Sequence, residues 1–119
     1  MKSYRDLIVW QKSMVLVTQI YLMSKTLPKE ELYGLISQIR KSAISVPSNI
    51  AEGYGRNSTN DYLRFLQIAS GSLYEMQTQL EICFNLAYIS RMDFNRVDAQ
   101  SREIERMLSS MIRKVNKNR

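Results

Sequence analysis

Apolar residues recur along this chain at alternating steps of four and three, the spacing that lines one face of an α-helix. From about Asp6 to Lys25, one such line is Leu7, Trp10, Met14, Val17 and Tyr21. Pro28 forbids its continuation and suits the first turn of a new helix. The second line, from about Lys29 to Glu52, is Leu32, Ile36, Ile39, Ala43, Val46, Ile50 and Gly53. Its phase passes unshifted through Pro47, which removes a backbone donor and disfavours helical angles at Val46. The expectation is a helix that bends at Pro47, continues, and ends by Gly55, with Ser42 and Ser45 covering freed backbone groups. A third line starts after Ser58, which with Asp61 forms a plausible N-cap pair. It runs Tyr62, Leu66, Ala69, Leu73, Met76, Leu80, Cys83 and Ala87. At ~1.5 Å per residue this helix is roughly 40–45 Å long. The fourth begins near Ser90, with Asp93 three residues on, and carries Phe94, Val97, Ile104, Leu108, Met111 and Val115, interrupted at Ser101.

Four long amphipathic helices with short connections predict an all-α protein: an antiparallel up-down-up-down four-helix bundle, with residues 1–119 as a single domain. The composition agrees, since four glycines and two prolines in 119 residues are too few for the turns of a sandwich or barrel. The chain has no histidine, and Cys83 is its only cysteine. Within one chain this excludes a disulfide framework, a Cys/His zinc site and histidine acid–base chemistry. No metal or cofactor is expected. The apolar run beginning at Leu7 is too short to span a membrane, so the expected compartment is the cytoplasm.

Charge changes the picture further. The net charge is +6, and it is unevenly spread. The third segment is net acidic, whereas the last nine residues, MIRKVNKNR, hold four basic residues and no acid. A basic terminus of this kind suits nucleic acid or another acidic partner, or else serves as a solubilising end. The candidate phosphate contacts are Arg113, Lys114, Lys117 and Arg119, with Lys2, Arg5 and Lys12 from the first segment. Four such contacts imply a salt slope of roughly −3 on single strands.

Candidate chemistry is otherwise sparse. Gly53-Tyr54-Gly55 lacks the third glycine, the preceding strand and the lysine of a nucleotide loop, and reads instead as a helix end with left-handed glycine. Gln38, Ser42, Ser45, Asn49, Glu52 and Arg56 form a polar line beside the second apolar one. This line is either the boundary of the buried face or a seam toward another chain or nucleic acid. Gly71-Ser72 sits mid-helix, where glycine costs ~1 kcal/mol relative to alanine, and permits close approach of another helix. Glu75 and Glu81 do not share a face, so paired carboxylate catalysis is not expected. Trp10, Tyr33 and Tyr54 are either core aromatics or base-stacking platforms. Ile8, Leu22, Leu35, Phe65, Ile68 and Ile82 are apolar residues beyond the main stripes, a surplus that favours association.

Three stretches together resemble a known family: YRDLIVWQKS (Tyr4–Ser13), LPKEELYGLISQIRKSAISVPSNIAEGYGR (Leu27–Arg56) and FLQIASGSLYEMQTQLE (Phe65–Glu81). They are similar to the bacterial four-helix-bundle proteins encoded in intervening sequences of 23S rRNA genes. Ser45, Pro47, Asn49, Glu52, Gly53, Gly71, Ser72 and Glu75 are the marks of that resemblance, with no catalytic role carried over. It implies a small cytoplasmic bacterial protein that forms a homo-oligomer, a pentameric ring. It also implies kinship with the accessory proteins of diversity-generating retroelements, basic pentamers that bind nucleic acid and the reverse transcriptase. The expected function is therefore non-enzymatic association with RNA or ribonucleoprotein through a basic surface. The alternative is a protein-interaction scaffold with no direct nucleic-acid binding.

Overall fold

A computed structural model describes residues 2–118. Four helices carry the fold: α1 (Ile8–Ser24), α2 (Ser37–Tyr54), α3 (Thr59–Asn85) and α4 (Arg91–Lys117). Cross-helix contacts fix their directions. Arg40 reaches back to Ser24, Ser45 meets Ser72, Ser42 meets Gln79, and the rings of Phe84 and Phe94 stack. The first and last of these join a helix end to the next helix start, and as α2 advances from Ser42 to Ser45 its partners in α3 run back from Gln79 to Ser72, so the bundle is antiparallel and runs up-down-up-down. It measures 45 × 24 × 21 Å. Among the described residues there is no strand, and no helix is long and apolar enough to cross a membrane.

The helix starts follow the serines. Ser58 Oγ accepts from Asp61 N at 3.2 Å, and Ser90 Oγ from Asp93 N at 3.1 Å, each satisfying a donor that the first turn leaves open. Ser3 forms a reciprocal capping box with Asp6 around a short 3₁₀ turn before α1.

One core links all four helices. The α3 stripe is buried from Leu66 through Cys83, and the second line is buried from Ile36, just before α2, to Gly53, whereas its predicted first member Leu32 is exposed. In α4 Ser101 does not interrupt the stripe but occupies it. Fully buried, it lies 2.8 Å from the Asp98 carbonyl and takes a 3.3 Å bond from Gln77.

Other expectations are corrected. In α1 the core face is Val9, Ser13, Leu16, Ile20 and Met23, one position from the predicted line, of which Leu7, Trp10, Val17 and Tyr21 are half-buried at the edge and Met14 is exposed. Both lines are largely apolar, and Ser13, bonded to the Val9 carbonyl, hides the true one. The second helix starts late. Lys29–Glu31 is a 3₁₀ turn and Leu32–Ile36 a π turn, and helical angles fail at Gly34 rather than at Pro47, through which α2 runs on. Gly55 closes α2 with φ −79°, not left-handed. Phe65, taken as surplus, is 6% exposed and packs against Gly53.

α3 ends two residues before its predicted last position. Ala87 leaves the stripe, is exposed, and has φ 61°. The bonds Tyr88 N to Cys83 O and Ala87 N to Phe84 O, both 2.9 Å, form the helix stop in which glycine ordinarily takes this place. An L-residue in that region is strained by about 1 kcal/mol. Ala87→Gly is therefore expected to raise stability by roughly 0.5–1 kcal/mol, read as a higher denaturant midpoint at unchanged m-value. A midpoint at or below that of the parent chain would contradict this.

Candidate nucleic-acid interface

Alternating helix direction brings the starts of α1 and α3 and the ends of α2 and α4 to one end of the bundle. Lys2 and Arg5 precede α1, Arg56 follows α2, Arg64 sits early in α3, and Arg113, Lys114 and Lys117 close α4. The carboxylates there are Asp6, Glu52 and Asp61, and all three are engaged. Asp6 Oδ2 accepts from the backbone of Lys2 and Ser3 at 3.0 and 3.2 Å. Glu52 pairs with Arg56 at 3.3 Å, and Asp61 with Arg64 at 3.9 Å. Lys2, Arg5, Arg113, Lys114 and Lys117 make no ion pair among the described residues. At the opposite end Lys25, Lys29, Arg40, Lys41, Arg91 and Arg96 stand against Glu30, Glu31, Glu81 and Asp93, so the larger share of the excess positive charge lies at the first pole.

The basic C-terminal residues form the last turns of α4 rather than a loose tail. Val115 packs at the edge of the core, which leaves Arg113, Lys114 and Lys117 exposed. Cations here also suit the negative end of the helix dipole. Three guanidinium groups at this pole lie over rings: Arg5 over Tyr4 at 4.9 Å, and Arg56 and Arg64 over Phe65 at 4.9 and 4.8 Å. Such stacking orients the cation without neutralising it. Tyr62 stands edge-on to Tyr54 at 6.5 Å, and its phenol is held above its ordinary value by burial and then by Tyr54.

Of the seven cations proposed from sequence, five gather at this pole. Lys12 does not: it faces α4 and pairs with Glu103 at 3.2 Å. Arg119 lies outside the described residues. Arg64 was missed and Arg56 assigned elsewhere. Both become visible once the charges are laid on an antiparallel ladder. The aromatic candidates do not converge. Trp10 is half-buried against Tyr4, Tyr54 lies at the basic pole, and Tyr33 projects near the other end.

The polar line of α2 is largely spent within the chain. Gln38 is exposed. Ser42 Oγ lies 2.7 Å from Gln79 Oε1 and 3.1 Å from the Ile39 carbonyl, and Gln79 Nε2 donates to Glu75 Oε2 at 3.2 Å. Ser45 Oγ lies 2.8 Å from Ser72 Oγ, and Asn49 Nδ2 donates to Ser45 Oγ and to the Ser45 carbonyl. The two serines thus bond chiefly across to α3 rather than cover backbone freed by Pro47. Two motifs distant in sequence, SVPSNIAEG and GSLYE, meet in this seam. Gly71 alone among the marked residues of α3 has nothing beside it, since an added Cβ would find no atom within 4 Å.

Elsewhere, Glu31 Oε2 accepts from Tyr88 OH at 3.1 Å, a bond that raises the phenol's pKa. Cys83 is fully buried, and burial followed by the Glu31 charge pushes its thiol up to about 11, which makes it a poor nucleophile. Among the described residues no cluster of three metal-ligating side chains occurs.

Comparison with known proteins agrees with this architecture. Residues 5–110 match the family model described as 23S rRNA-intervening sequence protein. A solved structure of a protein of unknown function from the S23 ribosomal protein family of Bacteroides thetaiotaomicron superposes with a TM-score of 0.83. It is 28% identical, and the match covers 88% of this chain and 98% of that one. No curated protein matches the sequence.

Proposed function

We propose that this chain, which belongs to the 23S rRNA-intervening sequence protein family, is a non-enzymatic cytoplasmic module that associates with RNA through the basic pole of its bundle. The observation that carries the reading is the gathering of Lys2, Arg5, Arg113, Lys114 and Lys117 at one end without ion-paired carboxylates. Exposed cations release counterions from phosphates, whereas paired ones such as Lys12 contribute little. The cations there are long, exposed side chains suited to phosphate oxygens, so contacts are to the backbone and sequence preference is weak. The surplus of exposed apolar side chains supports the second half of the reading. The module is a homo-oligomer, a pentameric ring, in which several basic poles engage one RNA together.

Titration of the full chain with single-stranded RNA, one set drawn from rRNA and one unrelated, tests this at a series of salt concentrations. Affinity is expected to fall with a slope of about −3 or steeper and to differ little between the two sets. Absence of binding at near-physiological salt would reject the RNA reading in favour of a protein-interaction scaffold.

A further inference from the structure

We infer that the open groove between α1 and α2 receives the exposed ridge of α3 from a second copy of this chain, so that copies join head to tail. The inference rests on the homo-oligomeric reading above and names its two faces. The groove is lined by Trp10, Met14 and Val17 of α1 and by Ile44, Pro47 and Ala51 of α2. It continues past Ile44 into a second depression bordered by Tyr21, Tyr33, Arg40 and Lys41. Among the described residues nothing covers this trough, and Met14 and Ile44 remain 44% and 41% exposed on its two walls. A contiguous apolar surface of this kind marks an interaction site.

On the other side of the molecule α3 presents Ile68, Gly71, Glu75, Thr78 and Ile82. These are spaced three, four, three and four residues apart and lie behind the line that α3 gives to the core. All five are exposed, the two isoleucines among them. Gly71 stands in the middle of this ridge. Glycine there costs the helix ~1 kcal/mol relative to alanine, yet no contact within the chain requires it. A groove of another copy closing on the ridge would require it, because only glycine lets two backbones approach closely.

Charge selects the pairing. The groove carries Arg40 and Lys41 and no carboxylate among the residues that line it. The ridge carries Glu75, with Glu81 beside it, and no lysine. Groove on groove would oppose lysines, and ridge on ridge would oppose glutamates, whereas groove on ridge opposes unlike charges. The two faces are different surfaces, so the contact is heterologous and repeats until a ring closes.

Gly71→Trp blocks the ridge and Ile44→Glu blocks the groove, both at exposed positions, and circular dichroism checks that each variant keeps its helices. Sedimentation velocity is then run on the parent chain, on each variant, and on their equimolar mixture. The parent is expected to sediment as an oligomer and each variant as a monomer. The mixture retains one intact groove and one intact ridge, and is expected to form a one-to-one dimer and nothing larger. An assembled parent with variants that still assemble, or a mixture that stays monomeric, overturns this interface and leaves the oligomeric reading standing. A parent that is monomeric at micromolar concentration overturns both.

Discussion

Gly53→Ala is expected to destabilise the bundle by about 2 kcal/mol, while Gly55→Ala two residues on leaves it unchanged or raises its stability by up to about 1 kcal/mol. The difference lies in what each new methyl group meets. At Gly53 a Cβ would stand 2.6 Å from the Cβ of Phe65 and 3.2 Å from Tyr62 Cδ1. The first of these is fixed to the α3 backbone, so no side-chain rotation relieves the overlap and α2 and α3 must separate. That separation loosens the partly buried seam of Ser42, Gln79, Ser45 and Ser72 along with the apolar contacts. Overpacking of this kind costs about 1–3 kcal/mol, and the better helix propensity of alanine returns at most about 1. At Gly55 the nearest atoms are 3.7 and 4.0 Å away and φ is −79°, a conformation alanine adopts freely. Urea denaturation of both variants measures the two effects. Equal losses at the two positions would show that helix termination, not packing, explains the glycine pair.

Reversing three charges together, Arg113→Glu, Lys114→Glu and Lys117→Glu, is expected to weaken RNA binding at physiological salt by at least roughly fifty-fold. Each lost phosphate contact removes about 0.7 from the salt exponent on single strands, so three flatten the slope by about 2. The counterion contribution vanishes near 1 M salt, and extrapolating that change back to ~0.15 M gives the fifty-fold figure. The triple variant is preferable to removing residues 113–119, because truncation also takes Val115 from the edge of the core. All three side chains are exposed, so the bundle is expected to stay folded, with a melting temperature lowered by several degrees because glutamates oppose the negative end of the helix dipole. Unchanged RNA affinity in the variant would place binding away from this pole.

Much of the architecture was legible in the sequence because burial in a bundle follows from helical periodicity. The lines in α2 and α3 each contrast with polar neighbours, and the structure buries most of each. α1 defeated the same argument. Its two adjacent lines are both apolar, and the buried one contains a serine whose hydroxyl is satisfied by its own helix, an arrangement that hydropathy alone does not distinguish. Ala87 continued the pattern of α3 by spacing, but the backbone bonds that stop the helix overrode it. The candidate site was legible only in part. Its cations are separated by up to about the whole chain, and charge pattern along a sequence does not say which ends meet. That Lys12 is neutralised by Glu103 depends on a contact between the first helix and the last.

Both described ends of the chain, Lys2 and Asn118, emerge at the basic pole, because the bundle has an even number of helices. A purification tag or fluorescent partner fused at either end therefore sits over the surface proposed to touch RNA, and an acidic one would compete with it. The turn between Asn85 and Arg91 lies at the far pole. A circularly permuted chain opened there, with its original ends joined by a short flexible linker, would carry its label away from the phosphates and leave the basic pole free.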